Sequence, residues 1–324
     1  MTTNPQITVL IDDSDLHNEL RADVRGGMAS HPKWMPPKWF YDKRGSALFE
    51  QITQLPDYYP TRCETEILLE HSKDIVTAAK AHTIVELGSG MSEKTRILLD
   101  AFHNHGDLRA YYPFDVSDVT VEDSLEILTQ TYPHLKLGGV VGDFTRHLHH
   151  LPTGEGRLVV LLGSTIGNML PTERAELLTN LRQELKPGEQ FLLGADLVKD
   201  TQTLIAAYDD PQGVTAKFNK NLLHVLNRHF DGDFQPENFS HVVIWDDKAA
   251  VIEMRLRAQK GMRVDLSALD MELTFQAGED LHTSVSTKFR PDALRAELDA
   301  AGFGVTHHWD DERNYYTLLL AEAI

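Results

Sequence analysis

Val85-Glu86-Leu87-Gly88-Ser89-Gly90-Met91-Ser92-Glu93-Lys94 is the stretch on which the fold turns. Thr83-Ile84-Val85 is a β-branched run, and a strand ending at Glu86-Leu87-Gly88 puts glycines where the backbone bends sharply and a ligand can come close. Ser92 is then placed to cap a helix carrying Ile97, Leu98 and Leu99. Strand, glycine bend and helix N-terminus together form a nucleotide-type site in a doubly wound sheet. A dinucleotide fingerprint needs a third glycine three residues after the second, and Glu93 occupies that place. Glu86, two residues before Gly88, points instead to a ligand with a cation to meet, such as the amino group or sulfonium of S-adenosylmethionine (SAM). Another nucleotide enzyme, or a glycine bend with no ligand, stays open on this stretch alone.

The chain has 324 residues, long for one domain and suited to two. With 41% hydrophobic and 25% charged residues it has the composition of an ordinary globular protein. A formal net charge of −18 argues against nucleic acid as partner, because phosphate contact depends on clustered Lys and Arg. That shifts a methyltransferase reading toward small-molecule acceptors. The lone Cys63 excludes an internal disulfide and a thiolate metal site, in keeping with a reducing compartment. Ile7 to Ile11 is short and follows no basic run, so it reads as neither signal peptide nor membrane span, and a cytoplasmic protein is expected.

Residues 1 to 30 read as a polar tail leading into a short helix, Leu16 to Val24. Aromatics then gather around prolines twice, in 33–42 and 55–62, which reads as two shaped loops, since proline fixes φ and blocks regular ladders. From 83 onward strands and helices alternate as a parallel sheet requires. The second strand ends at Asp115, the distance beyond Gly88 at which a carboxylate reaches a ribose. The third ends at Asp143-Phe144, an acid and an aromatic suited to an adenine. Leu158 to Leu162 is a continuous apolar run, hence a central strand, and it leads into the polar tip Gly163-Ser164-Thr165-Ile166-Gly167-Asn168. A helix from Thr172 to Leu185 and a fifth strand, Phe191 to Asp196, follow.

After Asp196 the pattern changes. Val214, Phe218, Leu222 and Val225 mark an amphipathic helix; Ile252, Met254 and Leu256, then Met271, Leu273 and Phe275, alternate as strands of an antiparallel sheet with one wet face. Pro291 opens a helix that Gly302 ends, and Val305 to Trp309 with Tyr316 to Ala321 reads as a closing hairpin. The expected architecture is α/β: a Rossmann-like domain from residues 62–198 plus 288–324, and a smaller α+β domain from 15–61 plus 199–287.

Seven segments carry a family resemblance, in order and over nearly the whole chain: Pro36-Pro37-Lys38-Trp39-Phe40-Tyr41-Asp42, Tyr58-Tyr59-Pro60-Thr61-Arg62, Glu86-Leu87-Gly88-Ser89-Gly90, Leu162-Gly163-Ser164-Thr165-Ile166-Gly167-Asn168, Asp196-Leu197-Val198-Lys199-Asp200, Ala207-Tyr208-Asp209-Asp210 and Lys288-Phe289-Arg290-Pro291. Together they resemble the bacterial histidine Nα-methyltransferases of ergothioneine biosynthesis. The resemblance implies a class I SAM-dependent methyltransferase domain, a substrate-binding domain, and transfer of three methyl groups from SAM to the α-amine of histidine, giving hercynine. It implies cofactor contacts at Tyr41, Glu86, Gly88, Gly90, Lys94, Asp115, Asp143, Phe144 and Ser164. Asp115 would take the ribose hydroxyls, and Asp143 with Phe144 the adenine. Tyr58, Asn168 and Tyr208 would hold the amino acid's carboxylate and amine, with Gly163 offering a backbone carbonyl and Met254, Ser284 and Ser286 at the side-chain end.

One departure bears on the acceptor. The family carries a glutamate facing the imidazole where this chain has Ser284. A charge-assisted hydrogen bond is worth about 1.5–3 kcal/mol, and a shorter neutral side chain also widens the pocket, so tryptophan or tyrosine is the alternative acceptor. A catalytically inactive SAM-binding regulator is the alternative of a different class. Methyl transfer is an in-line displacement that needs a neutral amine held opposite the departing sulfur. Tyr58, Tyr208 and Asn168 are the candidates for holding and deprotonating that amine. No metal is expected: His147, His149 and His150 are the densest histidine cluster and read as a surface loop. A monomer is expected. The insertion is expected to present the amino acid's nitrogen to a donor lodged over the glycine bend.

Overall fold

Thr83–Leu87 is a strand in which every residue is buried, as a strand with neighbours on both sides and layers on both faces must be. In the computed structural model, which describes residues 5–105 and 108–324, it is the fourth strand of an eight-stranded sheet. The order is Gln6–Val9, Lys136–Val141, Ala110–Asp115, Thr83–Leu87, Arg157–Leu161, Gln190–Asp196, Tyr316–Ala323, Phe303–Asp310. The first six strands are mutually parallel, and Tyr316–Ala323 runs antiparallel to both its neighbours. From Thr83–Leu87 the chain steps outward through the helices Thr95–His105 and Asp118–Thr131, then returns to the other side of its starting strand as Arg157–Leu161. The winding reverses there, and in open α/β sheets ligands bind outside the carboxyl ends of the strands at such a switch point.

The chain divides into two units: one comprising the described residues of Met1–Asp12, Pro60–Val198 and Phe289–Ile324, the other Asp13–Tyr59 and Lys199–Lys288. The first has a core around Val85, Phe114, Val159, Phe191 and Leu319. In the second, Val24, Phe40, Leu222, Leu256 and Phe275 belong to a separate core. Each fully buried side chain of this kind contributes about 1.5–3 kcal/mol. In the first unit the chain breaks off and resumes side by side: the Val198 N–H donates to the Phe289 carbonyl at 3.0 Å, and the Phe289 N–H to the Asp196 carbonyl at 2.7 Å.

The second unit holds a four-stranded sheet ordered Lys33–Trp34, Asp280–Thr287, Val251–Ala258, Phe239–Asp246. The helix Val214–Phe230 buries Val214, Phe218, Leu222 and Val225, the apolar stripe read from the sequence. Met262–Leu266 and Met271–Phe275 form a separate two-stranded sheet rather than extending the larger one. Alternation identifies the buried face of a strand and says nothing about which strand it pairs with.

Three local readings are corrected. The N-terminal segment is no tail: Gln6–Val9 pairs in parallel with Lys136–Val141 at the edge of the large sheet, in a strand too short to show a period (residues 1–4 lie outside the described residues). The helix after it is Asp13–Ala29, running past Gly26-Gly27, because Gly27 is needed for close approach: a Cβ there would strike the Trp34 backbone. The second proline-aromatic segment is in part helix, since Tyr59–Ala79 begins with Tyr59-Pro60-Thr61-Arg62. Proline is tolerated in a first turn, where its missing N–H has no helical partner to lose.

Candidate functional site

At the carboxyl end of Thr83–Leu87, Gly88 (φ +64°) and Gly90 (φ +50°) adopt left-handed conformations. These are conformations that glycine takes without a Cβ penalty. The Gly88 N–H donates to the Phe114 carbonyl at 2.8 Å, and the Gly90 N–H to Asp115 Oδ2 at 2.9 Å, so the bend is tied to the end of the adjacent strand. Asp115 Oδ1 accepts from the Ser117 N–H at 3.1 Å. Burial pushes its carboxyl above the ordinary carboxylate range, against the pull of the Gly90 and Ser117 amides. The Phe144 ring packs on the bend, 3.4 Å from where a Gly88 Cβ would stand. Asp143 caps the single helical turn Phe144–His147, its Oδ1 accepting from the Thr145 N–H at 2.9 Å and hydroxyl at 2.6 Å. The structure thus brings Gly88, Gly90, Asp115 and Phe144 together.

Glu86, expected on the ligand side, and Ser92, expected to cap the next helix, both face the interior. Glu86 is buried and accepts hydrogen bonds from the Thr95 and Tyr111 hydroxyls. Burial pushes it up to about 7, with the two hydroxyls pulling the other way. Ser92 does not cap the helix Thr95–His105: its φ of +53° turns the side chain inward, where Oγ lies 2.7 Å from the Tyr111 hydroxyl and 3.2 Å from Ser124 Oγ.

The tip after Arg157–Leu161 is shaped by Gly163 (φ +73°) and Ser164 (φ +54°), which lead into the 3-10 turn Thr165–Asn168. Ser164, expected among the cofactor contacts, uses its hydroxyl to accept from the Asp196 N–H at 3.0 Å and is buried. Asn168 ends the turn, half-buried. A residue that the sequence did not single out organises this tip. Glu64 is fully buried, and its carboxylate accepts from the Gly163 N–H at 2.8 and 3.0 Å and from the Tyr316 hydroxyl at 2.7 Å, and pairs with Lys94. The one available signal was Gly194, a glycine inside a buried strand: a Cβ there would overlap the Glu64 carboxylate.

The remaining candidates lie in the second unit. Tyr41 is exposed, its ring set edge-on against Phe49 and Phe218 at centroid distances of 5.5 and 5.3 Å. The rings of Tyr58 and Tyr208 meet edge-on at 6.3 Å. Ser284 stands opposite Met254, and Ser286 opposite Ile252, on paired strands, so these four share a face. The register shifts between His282 and Ser284, at Thr283, whose hydroxyl donates to the Met254 carbonyl at 2.9 Å. The Tyr208 hydroxyl is 2.9 Å from Ser286 Oγ, and Lys288, which the sequence reading left without a role, donates to both at 2.7 and 2.8 Å.

Comparison with known proteins decides the kinship. The family described as histidine-specific methyltransferase, SAM-dependent, matches residues 20–323. The chain belongs to this family. It is 50% identical over 305 residues to the histidine N-alpha-methyltransferase of Mycobacterium tuberculosis (94% of this chain, 95% of the relative). It is 51% identical over 302 residues to the enzyme of that name from Mycolicibacterium smegmatis (93% and 94%). A more distant relative, 28% identical over 302 residues (85% and 83%), is the 4-dimethylallyltryptophan N-methyltransferase of Claviceps fusiformis. The large sheet is that of a class I SAM-dependent methyltransferase.

In this histidine-specific methyltransferase family member, other polar clusters have structural partners. Asp210 is buried and accepts from the Val214 and Thr215 N–H groups at 3.0 and 2.7 Å, at the start of the helix Val214–Phe230. His147 Nδ1 accepts from the Asp143 N–H at 3.1 Å. Among the described residues no group of three or more His, Cys, Asp or Glu is arranged to hold a metal ion, and no helix is long and apolar enough to cross a membrane. Cys63 is buried, and burial pushes its thiol up to about 12, which makes it a poor nucleophile.

Proposed function

We propose that this protein transfers methyl groups from SAM to the α-amino group of L-histidine, three in succession, giving hercynine. The observation that carries the reading is the 50% identity, over 94% of the chain, to a histidine N-alpha-methyltransferase. The likeness to a prenyltryptophan methyltransferase is weaker, so tryptophan is the less favoured acceptor despite Ser284.

The glycine bend suits an adenosyl donor. The bend is open at the switch point, Asp115 is an acceptor suited to two hydroxyls, and Phe144 offers a flat apolar face. In this proposal Gly88, Gly90, Asp115, Asp143 and Phe144 hold the adenosyl part, Lys94 holds the carboxylate, and Tyr41 is a further cofactor contact. When bound, SAM supplies an electrophilic methyl on a sulfonium. The chain's own part is to orient the acceptor: Tyr58, Tyr208, Asn168 and the Gly163 carbonyl hold the carboxylate and amine, while Met254, Ser284 and Ser286 face the side chain. Each transfer needs an amine that has lost its proton, and a tyrosine hydroxyl or a water relay carries that proton away. Positioning supplies most of the rate, since a well-oriented pair avoids about 7–11 kcal/mol of entropic and solvent cost.

The net charge of −18 supports a small-molecule acceptor over nucleic acid, and the single buried thiol supports a reducing cytoplasm. We take the working form to be a monomer. The test is S-adenosylhomocysteine (SAH) release with the twenty amino acids pooled, followed by mass spectrometry. Histidine carrying three added methyls is the expected product; methylated tryptophan or tyrosine without methylated histidine overturns the assignment.

A further inference from the structure

The contacts of Lys288 in the second unit go beyond this reading. Its side chain is 1% exposed. Nζ donates to Tyr208 Oη at 2.7 Å and to Ser286 Oγ at 2.8 Å, and lies 4.7 Å from the centre of the Tyr208 ring. The two hydroxyls are 2.9 Å apart, closing a triangle. The backbone fixes its corners: the Lys288 N–H donates to the Ala250 carbonyl at 2.7 Å, and Ser286 is locked opposite Ile252 by the strand register.

The hydrogen count of this triangle is restrictive. Lysine donates only, and each hydroxyl has one proton. Both hydroxyl oxygens accept from Lys288, and one hydroxyl proton is spent on the short edge between them. The other hydroxyl proton is left to point outward. Whichever hydroxyl gives it, the corner offers its ligand one donor, beside the Lys288 cation.

We propose that Lys288 is a positioning residue: it orients Tyr208 and Ser286 into a hydrogen-bond-donating corner, and the ligand group taken there is an acceptor. A carboxylate oxygen and an unprotonated imidazole nitrogen both satisfy it, and the Lys288 cation beside the corner favours the carboxylate. The inference rests on the reading that Tyr208 and Ser286 face the amino acid.

The test is a double-mutant cycle of Lys288→Met and Tyr208→Phe, with the amino acid that the wild-type enzyme methylates. Failure of histidine as substrate therefore leaves the cycle readable. Loss of a charge-assisted hydrogen bond predicts that K288M raises KM by about tenfold or more, with a smaller change in kcat. SAH affinity stays within about twofold, and Lys288→Arg recovers part of the loss. In the Tyr208→Phe background K288M adds little, because residues acting as one unit are not additive. Additive losses, or a fall in SAH affinity equal to the fall in amino-acid affinity, overturn the proposal. Inhibition constants for histamine, without the carboxylate, and phenylalanine, without a ring nitrogen, identify the acceptor by which of them becomes insensitive to K288M. Should K288M not fold, Lys288→Gln, which keeps a donor amide, carries the same cycle; failure of both to fold in the presence of SAH assigns Lys288 to the core and overturns the role.

Discussion

Gly194 and Glu86 each show a single position set by a neighbour far away in sequence. Gly194 lies inside a buried strand where side-chain packing would favour a larger residue, yet a Cβ there would overlap the Glu64 carboxylate and stand 2.7 Å from the Tyr316 hydroxyl. Gly194→Ala should destabilise the protein by about 1–3 kcal/mol, read from the urea midpoint. SAH affinity should fall with it, because Glu64 pairs with Lys94; an unchanged midpoint would show that the carboxylate moves aside freely. Glu86 is a carboxyl that burial pushes up to about 7 from an ordinary 4.5. The folded state therefore binds this proton more tightly than the unfolded chain does, and between about pH 4.5 and 7 this group makes stability fall as pH rises. Glu86→Gln should remove that slope, and its stability relative to wild type should improve toward neutral pH. Parallel stability-versus-pH curves for the two proteins would reject the account. Glu86 was not readable for this: a local string shows it two places before a glycine, and only the folded chain shows Tyr111 and Thr95 closing over it.

At the scale of elements, the helix Lys43–Thr53 is fixed by its cap. Asp42 Oδ1 accepts from the Gly45 N–H at 2.7 Å and from Asn221 Nδ2 at 2.7 Å, and Oδ2 pairs with Arg228. Burial works against the charged carboxyl, but the bonds from Arg228, Gly45 and Asn221 outweigh it and hold the group below its ordinary value. Its stabilisation is complete above about pH 4 and is lost as pH falls through the lowered folded value. Asp42→Ala should cost about 1–3 kcal/mol near neutrality, losing both a cap and the partner of a buried amide, and progressively less as pH falls below about 4. A cost that does not change with pH would deny the charged cap its role. The central strands, the helix Val214–Phe230 and the closing hairpin were legible because each carries enough residues to show its period or is bounded by turn residues. Gln6–Val9 was not, being four residues long and recognisable only by its partner Lys136–Val141. Tyr59-Pro60-Thr61-Arg62 misled because proline marks both a loop and a first helical turn.

Over the whole molecule, ligand linkage gives the broadest prediction. A ligand that binds only the folded state stabilises it by about 2.7 kcal/mol at a hundredfold excess over Kd. Tm should therefore rise steadily with the logarithm of SAH concentration, and histidine should raise it further than tryptophan does at equal concentration. A Tm indifferent to SAH would remove the adenosyl assignment of the glycine bend. The sequence alone was enough for the doubly wound sheet and for the family, because strand periodicity, glycine bends and ordered motifs are written along the chain in consecutive residues. Only the tertiary structure decided which polar groups meet: Glu64 with Gly163 and Lys94, Lys288 with Tyr208 and Ser286, Glu86 with Tyr111. Those pairings join residues that chain order often keeps 25 to 99 positions apart, and a buried charge or hydroxyl takes whatever partner packing brings within reach, which no local pattern records.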